Sequence, residues 1–322
     1  MQVSRRLFIV SALALSLVFS PVSAEATGKP YRIVATTGML ADLIQVIGGE
    51  VVQVQALMGP GIDPHAYRQT RSDIVAMANA DLVIWHGLYL EAQLEDFMAE
   101  LGERQAVVAL GDQVSTDQLL AHDDYDGRYD PHVWMNPVLW GQVVDAAVAA
   151  LSQNFPRDAE LFATNADSYR GELAALATYA DTVLATVPEA ARVLISAHDA
   201  FNYFGDAYGF DVVGIQGIST ESEAGLRRIE ALVDRLVEDD VRAVFVESSV
   251  ADRNVRALIE GAAARGHEVS IGGELFSDAM GPAGTYEGSY LGMIDHNATT
   301  ITRALGGEAP AQGRLGKLGI EG

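Results

Sequence analysis

The stretch DAELFATNADSYRGELAALATYADTVLATV, residues 158–187, is the longest helical pattern in a chain of 322 residues. It holds no proline and no long β-branched run, and Gly171 is its one glycine. Leu161, Ala166, Tyr169, Leu173, Leu176 and Leu184 recur at helical spacing and give it an apolar stripe. A helix of about 30 residues is ~45 Å long, more than an α/β crossover needs. The stretch therefore predicts a rigid spine between two lobes. The competing reading is a helix–loop–helix broken near Gly171.

Outward from the spine, apolar runs alternate with helical patterns on both sides. Before it, strands are predicted over residues 32–36, 51–57, 82–85 and 106–110, with helices over 39–47, 72–78 and 88–101. Asn136-Pro137 opens a further helix, with proline at the first helical position. Beyond Pro188, strands are predicted over 193–196, 212–215, 241–246 and 268–271, with helices over 201–207, 222–237 and 252–264. A last helix opens at Gly284-Thr285, and residues 306–322 read as a frayed tail. Strands that alternate with helices argue for α/β lobes, each built on a mostly parallel four-stranded sheet flanked by helices. The expected division is a signal peptide at 1–24, an N-terminal lobe at 25–155, the linking helix at 156–188, a C-terminal lobe at 189–310 and a tail at 311–322.

The composition is globular, with 49% hydrophobic and 20% charged residues, enough for a sizeable core. Asp and Glu outnumber Lys and Arg by 44 to 21, which argues against a nucleic-acid partner. Arg5 and Arg6, the apolar run Leu7 to Phe19 and Val22-Ser23-Ala24 have the form of a cleavable secretory signal. Ser4 to Ile9 also has the form of a twin-arginine export signal. No other stretch is long and apolar enough to span a bilayer. The chain has no cysteine, so a lipid anchor, disulfides and thiolate metal sites are not expected. These features predict a protein that is periplasmic, not membrane-anchored and monomeric. Any metal it binds must be held by nitrogen and oxygen.

Two tripeptides of the same composition stand out, Asp63-Pro64-His65 and Asp130-Pro131-His132, the second continuing as Val133-Trp134-Met135-Asn136-Pro137. Proline fixes its own φ and pushes the residue before it toward extended backbone, so each histidine leaves a stiff turn in a set direction. In parallel α/β sheets, ligands bind outside the carboxyl ends of strands. His65 follows the second predicted strand, His132 the fourth, and His198 the strand ending at Ser196. Asp278 follows the last strand, but Glu247 also follows one, so spacing alone leaves two carboxylates. Three imidazoles and a carboxylate suit a small divalent ion. For the remaining histidines plainer roles are expected: structural for His86, solvated for His122 and His267, and hydrogen-bonding within a helix for His296.

The segments DPHAY, HGLYLE, DPHVWMNP, SAHDAFNYF, GIQGISTESEAG, VFVESS and LFSDAMGPAGTYEGSYLGMIDHN together resemble the periplasmic metal-binding subunits of ABC importers for zinc and manganese, the TroA-like family. The resemblance covers nearly the whole chain after the signal. It implies two α/β lobes joined by a long helix, and ligands at His65, His132, His198 and Asp278, with Glu247 as a hydrogen-bond anchor. It also implies a Zn2+ or Mn2+ cargo and an ABC permease as partner, with no catalysis. Two departures bear on the metal. The manganese-preferring branch usually has a glutamate where this chain has His198, and the zinc branch often has a histidine-rich loop where residues 111–130 hold only His122. The chain thus resembles most the type that accepts either metal. A periplasmic zinc-dependent hydrolase is the alternative reading, although there is no HExxH motif or nucleophile elbow and four protein ligands would leave no position for water.

Overall fold

A computed structural model describes residues 29–121 and 127–319. The expected signal segment, the acidic residues after His122 and His122 itself, and the last residues of the expected tail lie outside them. The first lobe is a four-stranded parallel sheet of β1 (Tyr31–Ala35), β2 (Val52–Ala56), β3 (Leu82–Trp85) and β4 (Val107–Ala109), in the order β2-β1-β3-β4. The order follows from side-chain type. β3 reads Leu-Val-Ile-Trp, with its first three side chains fully buried, as an inner strand covered on both faces requires. β2 reads Val-Gln-Val-Gln-Ala and lies at the edge, where its glutamines reach solvent.

Helices α1 (Gly38–Gly48), α2 (Arg71–Ala78) and α3 (Glu95–Gly102) connect these strands. Thr70 and Asp73 form a capping box at the start of α2, each satisfying a backbone N–H of the other's turn. Helix α4 (Pro137–Asn154) begins where Asn136-Pro137 predicts, with the Asn136 side chain accepting from the Val138 N–H at 2.9 Å. Helix α5 (Ala159–Leu184) then runs unbroken for 26 residues. Gly171 does not interrupt it, and a Cβ there would meet nothing within 4 Å, so this glycine faces open space.

The second lobe holds β5 (Val193–Ser196), α6 (Asn202–Tyr208), β6 (Asp211–Gly214), α7 (Leu226–Glu238), β7 (Ala243–Glu247), α8 (Arg253–Ala264), β8 (Ser270–Leu275) and α9 (Tyr290–Ala304). Its strands are parallel, but they form two ladders, β5-β6 and β7-β8, where one four-stranded sheet was expected. β5 and β7 come into contact, so the two ladders meet at those strands.

Two further expectations are corrected. Helix α9 begins at Tyr290, because the preceding residues are held in tight turns: Gly284 has φ 83°, and the Gly281 N–H donates to the Glu287 carbonyl at 2.9 Å. The segment after α9 is packed, where a frayed tail was expected. The Arg314 N–H donates to the Asp295 carboxylate at 3.0 Å, Leu318 is 5% exposed, and the Gly319 N–H donates to Glu287 Oε1 at 2.7 Å.

One apolar cluster runs from Ile33 on β1 to Leu305 beyond α9 and takes in α1, α4, α5 and α9. It includes Leu176, Ala180 and Leu184 of the spine beside Leu194, Phe201 and Leu275 of the second lobe. The lobes are therefore built onto one shared core.

Candidate metal centre

Each of the four groups singled out in the sequence stands just beyond the carboxyl end of a strand or its following loop, and the shared core turns all four toward one point. His65, His132, His198 and Asp278 are buried, and one ligand atom from each lies within 4.8 Å of the others. His132 Nε2 is 3.3 Å from both His65 Nε2 and His198 Nε2. The Asp278 carboxylate stands 3.1 Å from His198, 3.3 Å from His132 and 3.7 Å from His65, measured to Nε2. Neither Asp278 oxygen has a hydrogen bond, although both are buried.

Backbone geometry explains the aim of each side chain. In both Asp-Pro-His turns the aspartate Oδ1 accepts the N–H of the histidine two residues on, at 2.8 Å for Asp63–His65 and 2.9 Å for Asp130–His132. His198 sits in the turn after β5, which crosses over the end of β6. A Cβ on Gly214 would lie 2.4 Å from the Asp199 backbone nitrogen, so only glycine permits that crossing. Asp278 follows a loop pinned by Asn297 of α9, whose amide donates to the Phe276 carbonyl and accepts from its N–H.

The surroundings then set which nitrogen faces the centre. His132 Nδ1 pairs with Asp130 Oδ1 at 2.6 Å, and His198 Nδ1 pairs with Glu247 Oε2 at 2.5 Å. A carboxylate accepts from the Nδ1–H, so in the neutral, metal-binding form of each ring the lone pair is on Nε2 and faces the centre. Glu247 is thus the hydrogen-bond anchor and Asp278 the carboxylate at the centre. Burial opposes charge on His132, and Asp130 and Asp278 outweigh it, lifting that imidazole to about 9. His198 is likewise raised against burial, by Asp278 and Glu247. Burial dominates at His65, which falls to about 3. Burial would also raise Asp278, but the facing imidazoles hold it well below the usual carboxylate range. Without a metal, His132 and His198 are thus held protonated around an ionised Asp278, and a bound cation would take the place of those protons.

His86 braces this arrangement. Its Nε2 donates to the Pro131 carbonyl at 2.8 Å, and its ring meets Trp134 edge-on, so it supports the turn carrying His132. His296 donates from Nε2 to the Glu274 carbonyl at 2.9 Å. His267 departs from expectation: it is buried, and its Nε2 donates to the Val241 carbonyl at 2.7 Å. Sequence reasoning missed Asp130 as a partner of the His132 ring, although its place two residues before that histidine was a usable signal. It also missed Thr220 and Asn202, which reach the two aspartates from the opposite lobe and whose spacing gives no sign of it.

The chain matches the family model described as "ZnuA: Zinc-uptake complex component A periplasmic" over residues 33–304. It is 42% identical over 297 residues to the manganese-binding lipoprotein MntA of Bacillus subtilis (strain 168), covering 92% of this chain and 97% of that protein. The iron-binding protein YfeA of Yersinia pestis is 29% identical over 309 residues, covering 93% and 95% of the two chains. Among solved structures, the periplasmic zinc-binding protein TroA of Treponema pallidum superposes with a TM-score of 0.84 at 42% identity, covering 86% of this chain and 99% of that one. A match that takes in both lobes and the spine between them leaves one assignment: the chain belongs to the family of the periplasmic component A of zinc-uptake complexes.

Proposed function

We propose that this solute-binding protein captures one divalent metal ion between its lobes through His65, His132, His198 and Asp278, and delivers it to an ABC permease for import. The observation that carries the reading is the Asp278 carboxylate: both oxygens are buried without a hydrogen bond, beside three imidazole nitrogens at 3.1–3.7 Å. In the metal-free protein only the facing imidazoles answer that charge, and they do so by holding buried protons that a divalent cation would replace. A divalent cation would accept all three lone pairs and neutralise the carboxylate together.

Nitrogen-rich sites hold Zn2+ more tightly than Mn2+, which favours zinc for retention, while manganese remains open as physiological cargo. The relatives' names span manganese, zinc and iron, all divalent-forming metals that a nitrogen and oxygen site accepts. These relatives are named as metal-binding proteins, and PsaA as the substrate-binding lipoprotein of a manganese ABC transporter, so the hydrolase alternative has no support among them. MntA and PsaA are named as lipoproteins, but this chain has no cysteine to carry a lipid, which supports a mature form without that anchor, and the family's description as periplasmic supports a place outside the cytoplasm.

The test is metal analysis and intact mass of protein purified from the extracytoplasmic fraction, followed by titration of the metal-free form. One zinc or manganese ion per unlipidated chain is expected. His132→Ala should weaken binding by more than the about 10–100-fold that losing an outer hydrogen-bond partner costs. Unchanged calorimetric affinity in that variant overturns the ligand assignment.

A further inference from the structure

The two Asp-Pro-His turns share a second feature. Each aspartate holds its own histidine's backbone N–H with Oδ1 and reaches into the opposite lobe with Oδ2. Asp130 Oδ2 accepts from Asn202 Nδ2 of α6 at 3.0 Å, and Asp63 Oδ2 accepts from the Thr220 hydroxyl at 2.5 Å. The two turns differ in what else ties them across the cleft. The His132 turn is joined to the second lobe by three more bonds, each 2.8 Å: Tyr203 hydroxyl to the Asp130 carbonyl, Trp134 Nε1 to the Ser277 carbonyl, and Tyr290 hydroxyl to the Trp134 carbonyl. Among the described residues, the Asp63–Thr220 bond is the one hydrogen bond that links the His65 turn to that lobe. The nearby Gln93–Glu221 bond, 2.9 Å and exposed, joins a different first-lobe segment.

We infer that Thr220 is a positioning residue for the metal site: from the second lobe it holds Asp63, and through Asp63 the backbone of His65, so that this one bond sets how long the ion is retained. This rests on the reading of His65 as a cargo ligand. His132, His198 and Asp278 belong to a set cross-tied by several bonds and by the shared core. His65 enters on a separate proline-stiffened turn, so a small displacement of that turn withdraws one ligand and leaves three. Asp63 transmits such a displacement directly, because one oxygen grips the His65 N–H and the other grips Thr220. The Thr220 hydroxyl thus acts on the ion without touching it, and the lobes need not separate for the ion to leave.

The experiment loads the full mature protein with Zn2+ and follows release into excess chelator by stopped flow. Thr220→Val keeps the side-chain shape and removes the hydroxyl. It should release zinc about tenfold faster, the factor that one hydrogen bond to a carboxylate is worth. Thr220→Ser restores the donor and should return to the wild-type rate. Gln93→Ala, which breaks the other cross-lobe bond on this side, should leave the rate unchanged. Melting of the metal-free form should fall slightly in Thr220→Val, since the bond is present without metal, whereas a purely structural role for Thr220 would leave the release rate at the wild-type value. The inference is overturned if Thr220→Val releases zinc at the wild-type rate, if Thr220→Ser is as fast as Thr220→Val, or if Gln93→Ala accelerates release equally. Those results leave the ligand reading standing as long as every variant loads one zinc per chain. Failure of the wild type to load zinc or manganese would instead overturn the ligand reading.

Discussion

Glu247 makes two bonds to one residue, accepting the His198 N–H on Oε1 at 2.9 Å and pairing with Nδ1 on Oε2 at 2.5 Å. A carboxylate can do both because it is acceptor-only. Glutamine has one carbonyl oxygen and one NH2 group, so in Glu247→Gln one of those two donors meets another donor. If Nδ1 turns acceptor to relieve the clash, the proton moves to Nε2 and points at the ion. Metal affinity should then fall about 10–100-fold, the usual cost of losing a partner that orients a ligand. Competition titration of zinc against a chelator checks it, and an affinity equal to wild type would mean that Glu247 does not set the tautomer. The same reasoning explains why Asp130 and Glu247, which touch no ion, lie as deeply buried as the four central groups.

At the scale of elements, the turn after β3 shows how a strand end is made rigid. Leu88 and Tyr89 adopt φ 51° and 65°, and the turn brings Glu91 inward. There Glu91 accepts from the Thr36 hydroxyl at 2.6 Å, the His86 N–H at 2.9 Å and the Gly87 N–H at 3.2 Å, joining the ends of β1 and β3 behind His86. Burial raises Glu91 to about 7 against those hydrogen bonds. A carboxyl raised on folding contributes stability that is fully present below its unfolded value near 4.5 and is lost as pH rises through about 7. The contribution is roughly 3 kcal/mol at most. Glu91→Gln cannot ionise, so denaturant unfolding of the metal-free proteins at pH 5 and pH 8 should show a smaller loss of stability for the variant. Equal losses would remove Glu91 as the source. This turn also marks where sequence reading stops. β3 and β5 have the predicted bounds because each is a short apolar run between polar residues. The helix expected from Leu88 starts instead at Glu95, since apolar spacing does not reveal two residues with positive φ. Alternation shows that strands exist, but lateral pairing depends on tertiary contacts, and so the split into β5-β6 and β7-β8 was not visible. At the site, the motifs mark the four groups that converge, while the cross-lobe donors Thr220 and Asn202 lie 157 and 72 residues from their aspartates and leave no local trace.

For the whole molecule, the question is how an enclosed site exchanges its ion. Two lobes joined by a flexible hinge would close around a ligand by a wide rotation. Here α5 packs against α1 and α4 on one side and α9 on the other, and one apolar cluster passes through all of them. Large, hydrophobic contacts between domains suppress their relative motion. Opening the lobes as rigid bodies would expose part of that cluster, at about 25 cal/mol for each Å2 of apolar surface returned to water. Moving the His65 turn breaks one hydrogen bond to the second lobe and leaves that cluster whole, since none of residues 63–66 belongs to it. The cheaper route should dominate, so ion exchange is local and the spine does not bend. Small-angle scattering of metal-free and zinc-loaded protein should accordingly give the same radius of gyration within error, while hydrogen exchange slows on loading in the turns around His65 and Thr220. A marked compaction on adding zinc would show that the shared core yields, and would place the exchange step in the lobes and not in the loop.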